Sequence, residues 1–418
     1  MLTQDLRRAG FPRVAASGVA YLDYAGAALY TDAQIEAHAA RLTNGLFGNP
    51  HSGHAASRSS SGVLDAARRR VLAFFDAGDD YDVVFTANAS AAIRLVAESY
   101  PFASGTSLVL TADNHNSVNG IREYARRGGA GIVTLPLGDD LRLRDSRAPL
   151  PHAAAVGLFA FPAQSNFSGV QHPLSLVHEA QQRGWHVLLD AAAFAPAHRL
   201  SLRACPADFV ALSFYKMFGY PTGVGALLAR RDALAVLARP WFAGGTVEFV
   251  SVARQRHRLR AGHEGFEDGT ANFLDIAALD AGFDLLDRAG MEAIAMQTAA
   301  LTRALLDRLF ALRHADGRAL VRVYGPPDTA ARGATVAFNV IDRRGGLVPY
   351  AIVERRADEA GVHVRGGCFC NPGAAEAALG LDGERMARIG AGAVRASLGL
   401  ATTAHDVARL ADVLASFA

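Results

Sequence analysis

The chain of 418 residues contains a single lysine, Lys216, beside 41 arginines. Arginine can replace lysine on a surface, in an ion pair or at a phosphate, but its guanidinium group stays protonated and is not a nucleophile. A lysine amine that is desolvated in a pocket can lose its proton and attack a carbonyl carbon. Lys216 closely follows the apolar run Phe209–Leu212. The sequence therefore predicts a Schiff-base lysine at the end of a buried strand; the alternative is a leftover surface lysine.

An anion site is predicted where the run Asp82–Thr86 gives way to a helical pattern. Small residues, free backbone N–H groups and the hydroxyl of Ser90 would meet there at a helix N-terminus. The alternative is an ordinary Asn or Ser cap of the helix.

Asp190 ends the apolar run that begins at His186, 26 residues before Lys216. A carboxylate in this position can hold a pyridinium nitrogen protonated, which makes the ring an electron sink. A helix cap or a structural ion pair is the alternative role for Asp190.

Two thiols, Cys368 and Cys370, lie in the glycine-flanked segment Gly367–Gly373. The thiolate is the reactive form of cysteine, and nearby cations such as Arg365 stabilise it. The glycine and proline residues favour an exposed loop with a catalytic role over two small buried side chains. Arg395 suits a bidentate contact with a substrate carboxylate, although arginine is abundant elsewhere in the chain.

Apolar runs alternate with helical stretches between about residues 80 and 230, which predicts an α/β sheet covered by helices. Several runs are nearly continuous in Val, Leu, Ile and Ala, as in parallel strands buried on both faces. Ligands bind such sheets at the carboxyl ends of the strands, where Asp190, Ser213 and Lys216 are expected. The predicted strands are Asp82–Thr86, Ser107–Ala112, Gly131–Leu137, Ala154–Pro162, His186–Asp190, Phe209–Ser213 and Gly225–Ala229, and the helices include Ala89–Ser99, Ser117–Arg127 and Leu174–Arg183.

A smaller α+β region is predicted after a loop-rich stretch, 240–272. We divide the chain into an N-terminal segment (1–22), a large domain (23–280) and a small C-terminal domain (281–418) that carries the cysteine loop. The elements predicted in the last part of the chain are a long helical pattern Asn272–Arg313, strands Val321–Tyr324 and Thr335–Ile341, a helix Val348–Ala360, a strand Val362–Arg365 and a closing helix His405–Ser416.

The composition disfavours several classes of protein. A net charge of +2 without a basic cluster gives no case for nucleic acid, and no apolar run reaches membrane-spanning length. Three cysteines are too few for a disulfide framework or a four-thiolate zinc site, so we expect a reduced, cytoplasmic location, no metal and a structural role for Cys205. No strand is followed by G-x-G-x-x-G, which argues against a nicotinamide dehydrogenase.

Taken together, these motifs resemble the class V enzymes of fold type I that use pyridoxal 5'-phosphate (PLP), from Tyr21 to the end of the chain. They are most similar to the N-terminal, cysteine-desulfurase-like domain of molybdenum-cofactor sulfurases. The resemblance implies a fold-type I transferase with a mainly parallel central sheet covered by helices, a smaller α+β C-terminal domain, and a homodimer. The matching stretches are Tyr21–Gly26, Gly48–Ser52, Asp113–Val118, Ser213–Gly225, Phe266–Asn272 and Gly367–Gly373.

The resemblance also implies roles for individual residues at the cofactor. Lys216 would form the covalent link to PLP, Asp190 would pair with the pyridine nitrogen, and His115 would stack on the ring. Thr270 would reach the phosphate bound in the neighbouring subunit. The residues implied for the phosphate within the chain are Ala89, Ser90 and Ser213.

For the substrate, the resemblance implies that Asn166 and Arg395, with Arg365, bind an amino acid, and that Cys370 rather than Cys368 is the nucleophile. The chain departs from desulfurases at Ala193, where they commonly have a glutamine that contacts the cofactor. It also stops where a sulfurase would continue into a second domain, so the final sulfur acceptor stays open.

These residues predict a cysteine desulfurase that converts L-cysteine, or a related thiol amino acid, to L-alanine. Lys216 would remove the α-proton, and the Cys370 thiolate would attack the substrate sulfur. The resulting persulfide would be passed to a protein or small-molecule acceptor. Two alternatives stay open: a PLP-dependent C–S lyase or amino-acid epimerase that does not use Cys370, and a non-catalytic sulfur-relay or partner-binding protein on the same fold.

Overall fold

The structure, a computed structural model, describes residues 7–144 and 157–418. Within these residues the strands form one large sheet, a four-stranded sheet and two short pairs. The strands are β1 (Ala20–Tyr21), β2 (Tyr81–Thr86), β3 (Ser107–Thr111), β4 (Gly131–Leu135), β5 (Gly157–Pro162), β6 (Trp185–Asp190), β7 (Phe209–Ser213), β8 (Gly225–Arg230), β9 (Val247–Ser251), β10 (Arg256–Leu259), β11 (Val321–Tyr324), β12 (Thr335–Val340), β13 (Val362–His363), β14 (Arg365–Gly367) and β15 (Ala393–Ser397).

The large sheet has seven strands in the order β2-β8-β7-β6-β5-β3-β4. Strand β8 runs antiparallel to both of its neighbours, and the other pairs are parallel. The predicted α/β fold with a mainly parallel sheet is confirmed, and each predicted strand of this region is found in the sheet. Residues 154–156 of the predicted strand Ala154–Pro162 lie outside the described residues.

Both faces of the central strands are buried, which explains their nearly continuous apolar sequence. In β5, Phe159 and Phe161 join one hydrophobic cluster, while Leu158 and Ala160 join the cluster on the opposite face. Successive side chains of a strand point to opposite faces, so a sheet covered on both sides requires apolar residues at every position.

Helices cover these faces and surround the smaller sheet. Their bounds are Pro12–Ser17, Asp32–Asn44, Ala55–Phe74, Ala89–Ser99, Asn116–Asn119, Ile121–Gly128, Ser175–Gln181, Phe214–Phe218, Arg231–Leu234, Phe273–Ile276, Leu279–Ala289, Met291–Ala311, Tyr350–Glu359, Pro372–Leu379, Gly383–Ile389 and Ala404–Ala415, with a 3₁₀ helix at Gly262–Gly265. None of the helices in the described ranges is long and apolar enough to cross a membrane.

The smaller sheet is antiparallel, in the order β11-β12-β15-β14. Its core includes Val336 and Phe338 of β12, packed with leucines of the helices Met291–Ala311 and Ala404–Ala415. Leu22 belongs to the same core, and β1 pairs with β13. The N-terminal segment thus packs against the C-terminal part of the chain; the predicted division at residues 22 and 280 stays a prediction.

Three predicted elements are wrong in detail. The helix Ser117–Arg127 is two helices that meet at Gly120, and the pattern Asn272–Arg313 is three helices, the last two separated by Gly290 at a φ of 78°. The strand Val362–Arg365 is divided between β13 and β14 because its two ends pair with different partners, β1 and β15. The loop-rich stretch 240–272 also contains the antiparallel pair β9 and β10.

Candidate active site

A cavity of about 140 Å³ lies at the carboxyl ends of the central strands. Strand β6 ends at Asp190, β7 ends at Ser213, and the helix Phe214–Phe218 carries Lys216 directly after β7. The structure therefore places most of the candidate residues around one cavity. The candidate residues that line the cavity are Ala89, Ser90, His115, Asn166, Asp190, Ser213 and Lys216.

Lys216 is held in a form suited to nucleophilic attack. Burial lowers the pKa of its amine, and the nearby charge of Arg395 lowers the pKa further, whereas Asp190 acts in the opposite direction. A lower pKa increases the neutral fraction of the amine at any given pH, and the neutral amine is the form that attacks an aldehyde.

His115 provides an imidazole ring on the wall of the cavity. Its Nδ1 accepts a hydrogen bond of 3.1 Å from the backbone N–H of Ser117, at the start of the helix Asn116–Asn119. Burial lowers the pKa of His115, and the charge of Arg395 acts in the same direction, whereas Asp190 opposes it. A lower pKa favours the neutral form of the ring, which can stack on a flat aromatic group.

Asp190 lines the same cavity and is buried at the end of β6. Its Oδ1 accepts a hydrogen bond of 3.0 Å from the backbone N–H of Ala192. One oxygen is thus fixed by the backbone, and the carboxylate is oriented by its own loop.

Hydroxyls and backbone N–H groups converge at the first turn of the helix Ala89–Ser99. The N–H of Ala89 donates to the Ser213 hydroxyl at 2.8 Å, and the hydroxyls of Ser90 and Ser117 lie 2.5 Å apart. Gly225 of β8 crosses this turn so closely that a Cβ there would lie 2.5 Å from the Cα of Asn88. A helix N-terminus with converging donors is a site for an anion such as a phosphate.

Arg395 is buried in β15 with a relative exposure of 2%. It donates to the backbone oxygen of Asn166 at 3.0 Å and to Oδ1 of Asp23 at 3.1 Å, and it lies 4.7 Å from the ring centre of Phe369. Its Nε–H has no partner among the described residues. One buried donor of the guanidinium group is therefore left unused.

Asp23 is a site residue that sequence reasoning missed. Arg365 and Arg395 are directly opposite each other on β14 and β15, an arrangement that is unfavourable for two like charges. Asp23 accepts hydrogen bonds from both guanidinium groups, so its carboxylate offsets the repulsion. The sequence signal for Asp23 was its place in the motif Tyr21–Gly26. Only the fold shows that two arginines from the last third of the chain contact Asp23.

The two thiols lie in an exposed loop that begins directly after β14, as predicted. The carbonyl oxygen of Cys370 accepts a hydrogen bond of 2.7 Å from the backbone N–H of Asn116, the neighbour of His115 in the cavity wall. Cys370 is therefore close to the cavity, although it is not part of its wall. Cys205, by contrast, is buried, and burial raises its pKa to about 11, which fits the predicted structural role.

The structure does not bring Thr270, Arg365 or Arg395 into the cavity wall. Thr270 is exposed, accepts a hydrogen bond of 3.0 Å from the side chain of Asn49, and lines a different cavity. Arg365 is about half exposed and is paired with Asp23. The role of Thr270 across a subunit interface stays a prediction.

Fold and site together define a class V, PLP-dependent, cysteine-desulfurase-like protein. The family described as Aminotransferase class-V matches residues 20–410, so the chain belongs to that family. The chain is 36% identical to the molybdenum cofactor sulfurase of Arabidopsis thaliana, in an alignment that covers 99% of this chain and 58% of that protein. The molybdenum cofactor sulfurase of Homo sapiens is 37% identical, over 92% of this chain and 46% of that protein.

A solved structure, the apo form of a cysteine desulfurase from Thermococcus onnurineus NA1, superposes with a TM-score of 0.86. It is 26% identical, and the match covers 99% of this chain and 97% of that one. The chain thus spans nearly the whole of the desulfurase but about half the length of the curated relatives it matches.

PLP is the cofactor of this chain, and the residues around Lys216 fit it. The amine of Lys216 suits the aldehyde, the Asp190 carboxylate suits the ring nitrogen, and the neutral ring of His115 suits stacking. The donors at the start of the helix Ala89–Ser99 suit the phosphate.

Proposed function

We propose that the chain is a PLP-dependent cysteine desulfurase, which takes sulfur from L-cysteine or a related thiol amino acid and leaves L-alanine. The observation that carries the proposal is the position of Cys370: an exposed cysteine that follows Phe369, which packs under Arg395, and whose carbonyl oxygen accepts a hydrogen bond from Asn116 beside His115. A nucleophile next to a deprotonating amine and a carboxylate-binding arginine suits the transfer of a side-chain atom of an amino acid.

Arg395 binds the substrate carboxylate through its unpartnered Nε–H and a neighbouring N–H. Asp23 and the backbone oxygen of Asn166 hold the guanidinium group, so its donors are oriented before the substrate arrives. The side chain of Asn166 also lines the cavity and contributes to the same site.

PLP, when bound, would supply an electron sink for the α-carbon of the substrate. The neutral amine of Lys216 would accept the α-proton, and the Asp190 carboxylate would keep the ring nitrogen protonated. Burial lowers the pKa of Lys216, which increases the fraction of neutral amine that can act as a base.

Cys370 accepts the sulfur as a thiolate, the nucleophilic form of cysteine. A sulfur–sulfur bond forms while the bond between Cβ and sulfur breaks; the electron pair passes to Cβ, and a proton there completes alanine. The net change converts L-cysteine and the Cys370 thiol to L-alanine and a persulfide on Cys370, without an external oxidant or reductant.

The persulfide sulfur then passes to a protein or small-molecule acceptor. The name of the curated relatives points to the molybdenum cofactor as one candidate acceptor. We further propose that the enzyme works in the cytoplasm as a homodimer in which Thr270 completes the neighbouring site.

A second candidate reaction is direct C–S elimination, which releases pyruvate instead of alanine and leaves Cys370 unmodified. One observation favours it: Cys370 is not among the residues that line the cavity. Analysis of the products formed from L-cysteine by the PLP-loaded protein separates the two reactions. Alanine supports the desulfurase, and pyruvate without alanine contradicts it.

A further inference from the structure

Three separate hydrogen bonds fix the backbone of the cysteine loop at residues 368–370. The carbonyl oxygen of Cys368 accepts from the backbone N–H of Asn371 at 2.9 Å, and that of Cys370 accepts from the N–H of Asn116 at 2.7 Å. The carbonyl oxygen of Phe369 accepts from the side-chain amide of Asn166 at 2.7 Å. Every carbonyl group from residue 368 to 370 thus has a partner, although both thiols are exposed.

The conformation of this loop is one that side chains rarely adopt. Phe369 and Cys370 have φ values of 56° and 55°, in the left-handed region. Two consecutive non-glycine residues of this kind are strained and persist only where the surroundings hold them. The Phe369 side chain is buried against Phe167, with ring centres 5.3 Å apart, and under Arg395.

Asn371 is the residue that connects the loop to the rest of the site. It is fully buried, and its side-chain amide donates to the backbone oxygen of Asp113 at 2.6 Å and to Oδ1 of Asn166 at 2.9 Å. Its Oδ1 accepts from the N–H of Ala374 and so caps the helix Pro372–Leu379. Both donors and the acceptor of the amide are in use.

These contacts form a chain from the thiol loop to the substrate pocket. Asn371 orients the Asn166 amide through Oδ1, which leaves the Nδ2 of Asn166 to hold the Phe369 carbonyl group. Asn166 also lines the cavity that contains Lys216. The same two amides therefore fix the loop that carries Cys370 and one wall of the site.

We propose that Asn371 is a positioning residue, which holds the strained loop so that the Cys370 thiol faces the substrate sulfur. The inference rests on the proposed desulfurase function and adds to it a residue that does not touch the substrate. Cysteine attack on sulfur requires close approach in line with the bond that breaks, and a misplacement of about 1 Å can lower such a rate about 100-fold.

The variant Asn371→Ser separates positioning from helix capping. Serine is also a good N-cap, but its side chain is too short to reach both Asp113 and Asn166. We expect alanine formation by the PLP-loaded enzyme to fall about 10- to 100-fold, with a larger share of pyruvate among the products. The hydrogen exchange of the Asn116 amide, which donates to the loop, should become faster even in the protein without cofactor.

Two further variants keep the test decisive. Asn371→Asp retains the length of the side chain and the helix cap but loses both donated hydrogen bonds. It should have the same effects as Asn371→Ser, and it replaces that variant in the test if the serine protein does not fold. Asp382→Ala is the matched control, because Asp382 caps the neighbouring helix Gly383–Ile389 without contacting the loop. It should lower thermal stability while the ratio of alanine to pyruvate stays unchanged.

The outcomes distinguish this inference from the proposed function. If the unmodified enzyme makes alanine and the Asn371 variants match Asp382→Ala in product ratio and in Asn116 exchange, the positioning role is wrong and the desulfurase remains. If the unmodified enzyme makes no alanine, the desulfurase function is wrong and the positioning role falls with it.

Discussion

At the scale of single residues, the site pairs buried cations with fixed carboxylates. Lys216 and Arg395 both have their pKa values lowered by burial, and Asp190 and Asp23 respectively oppose that effect. The outcome differs because the side chains differ: guanidinium keeps its proton under these conditions, whereas an amine can release it. Arg395 is therefore suited to bind a carboxylate, and Lys216 is suited to act as a nucleophile and base, which are the roles we propose for them.

The lowered pKa of Lys216 predicts how cofactor uptake depends on pH. Only the neutral amine attacks the PLP aldehyde, so the uptake rate should rise with pH and level off before pH 10.5, the ordinary pKa of lysine. The measurement is the growth of the visible absorption band after PLP is added to the cofactor-free protein at a series of pH values. A rate that is still rising steeply at pH 10.5 would show that burial does not favour the neutral amine.

The single lysine also makes the attachment site easy to test. Treatment of the PLP-loaded protein with borohydride should bleach the visible band and fix the cofactor on the peptide that contains Lys216. Lys216→Arg keeps the positive charge but cannot form the bond, so this control should carry no label there. A label found only at the amino group of Met1 would refute the assignment of Lys216.

At the scale of the elements, the site depends on where strands end and how closely they approach the helix Ala89–Ser99. β6 and β7 bring Asp190 and Ser213 to one edge of the sheet. Gly225 of β8 permits the contact with Asn88, the residue that caps this helix. The position of the phosphate donors is therefore set partly by a strand that carries no functional side chain of its own.

The variant Gly225→Ala tests this close approach. The added Cβ would lie 2.5 Å from the Cα of Asn88 and 2.6 Å from the backbone oxygen of Leu212, so backbone must shift. We expect a loss of about 1–3 kcal/mol in the free energy of unfolding and weaker PLP binding, measured by denaturant unfolding and by titration with PLP.

Gly62→Ala is the control, since nothing lies within 4 Å of a Cβ added at that site in the helix Ala55–Phe74. This variant should stabilise the protein by up to about 1 kcal/mol. Unchanged PLP affinity in Gly225→Ala would argue against the phosphate site at this turn.

Sequence patterns were sufficient to predict the elements whose surroundings are the same along their whole length. Strands such as β7, buried on both faces, have a continuous apolar signal, and Asp190 and Lys216 follow directly from where those strands end. The signal fails where pairing is decided by distant partners, as in the division of Val362–Arg365 between two sheets. For the same reason the sequence could not predict that Asp23 and Asn371 hold the site together, since each acts on residues more than 200 positions away.

At the scale of the whole molecule, the chain corresponds in length to the desulfurase from Thermococcus onnurineus and to about half of the sulfurases. Within one chain, Thr270 lies in a cavity apart from Lys216. A dimer in which each Thr270 reaches the neighbouring site would give this residue the role that the family resemblance implies.

Subunit complementation tests the shared site. Lys216→Ala and Thr270→Ala should each lower the activity of their own homodimers. When the two proteins are mixed and exchange subunits, both lesions fall on one site of the heterodimer and the other site is intact, so part of the activity should return. If exchange is demonstrated by mass and no activity returns, each site is built within one chain.

A single-turnover comparison tests whether Cys370 accepts the sulfur of the substrate. The PLP-loaded protein, mixed with L-cysteine and then alkylated, should yield alanine and one extra sulfur on the peptide that contains Cys368 and Cys370. Cys370→Ser should retain its cofactor and bind L-cysteine but form alanine at least about 100-fold more slowly, because a neutral hydroxyl cannot replace a thiolate at sulfur; Cys368→Ser should be affected less. Full turnover by Cys370→Ser, with pyruvate as the product, would show that Cys370 does not accept the sulfur.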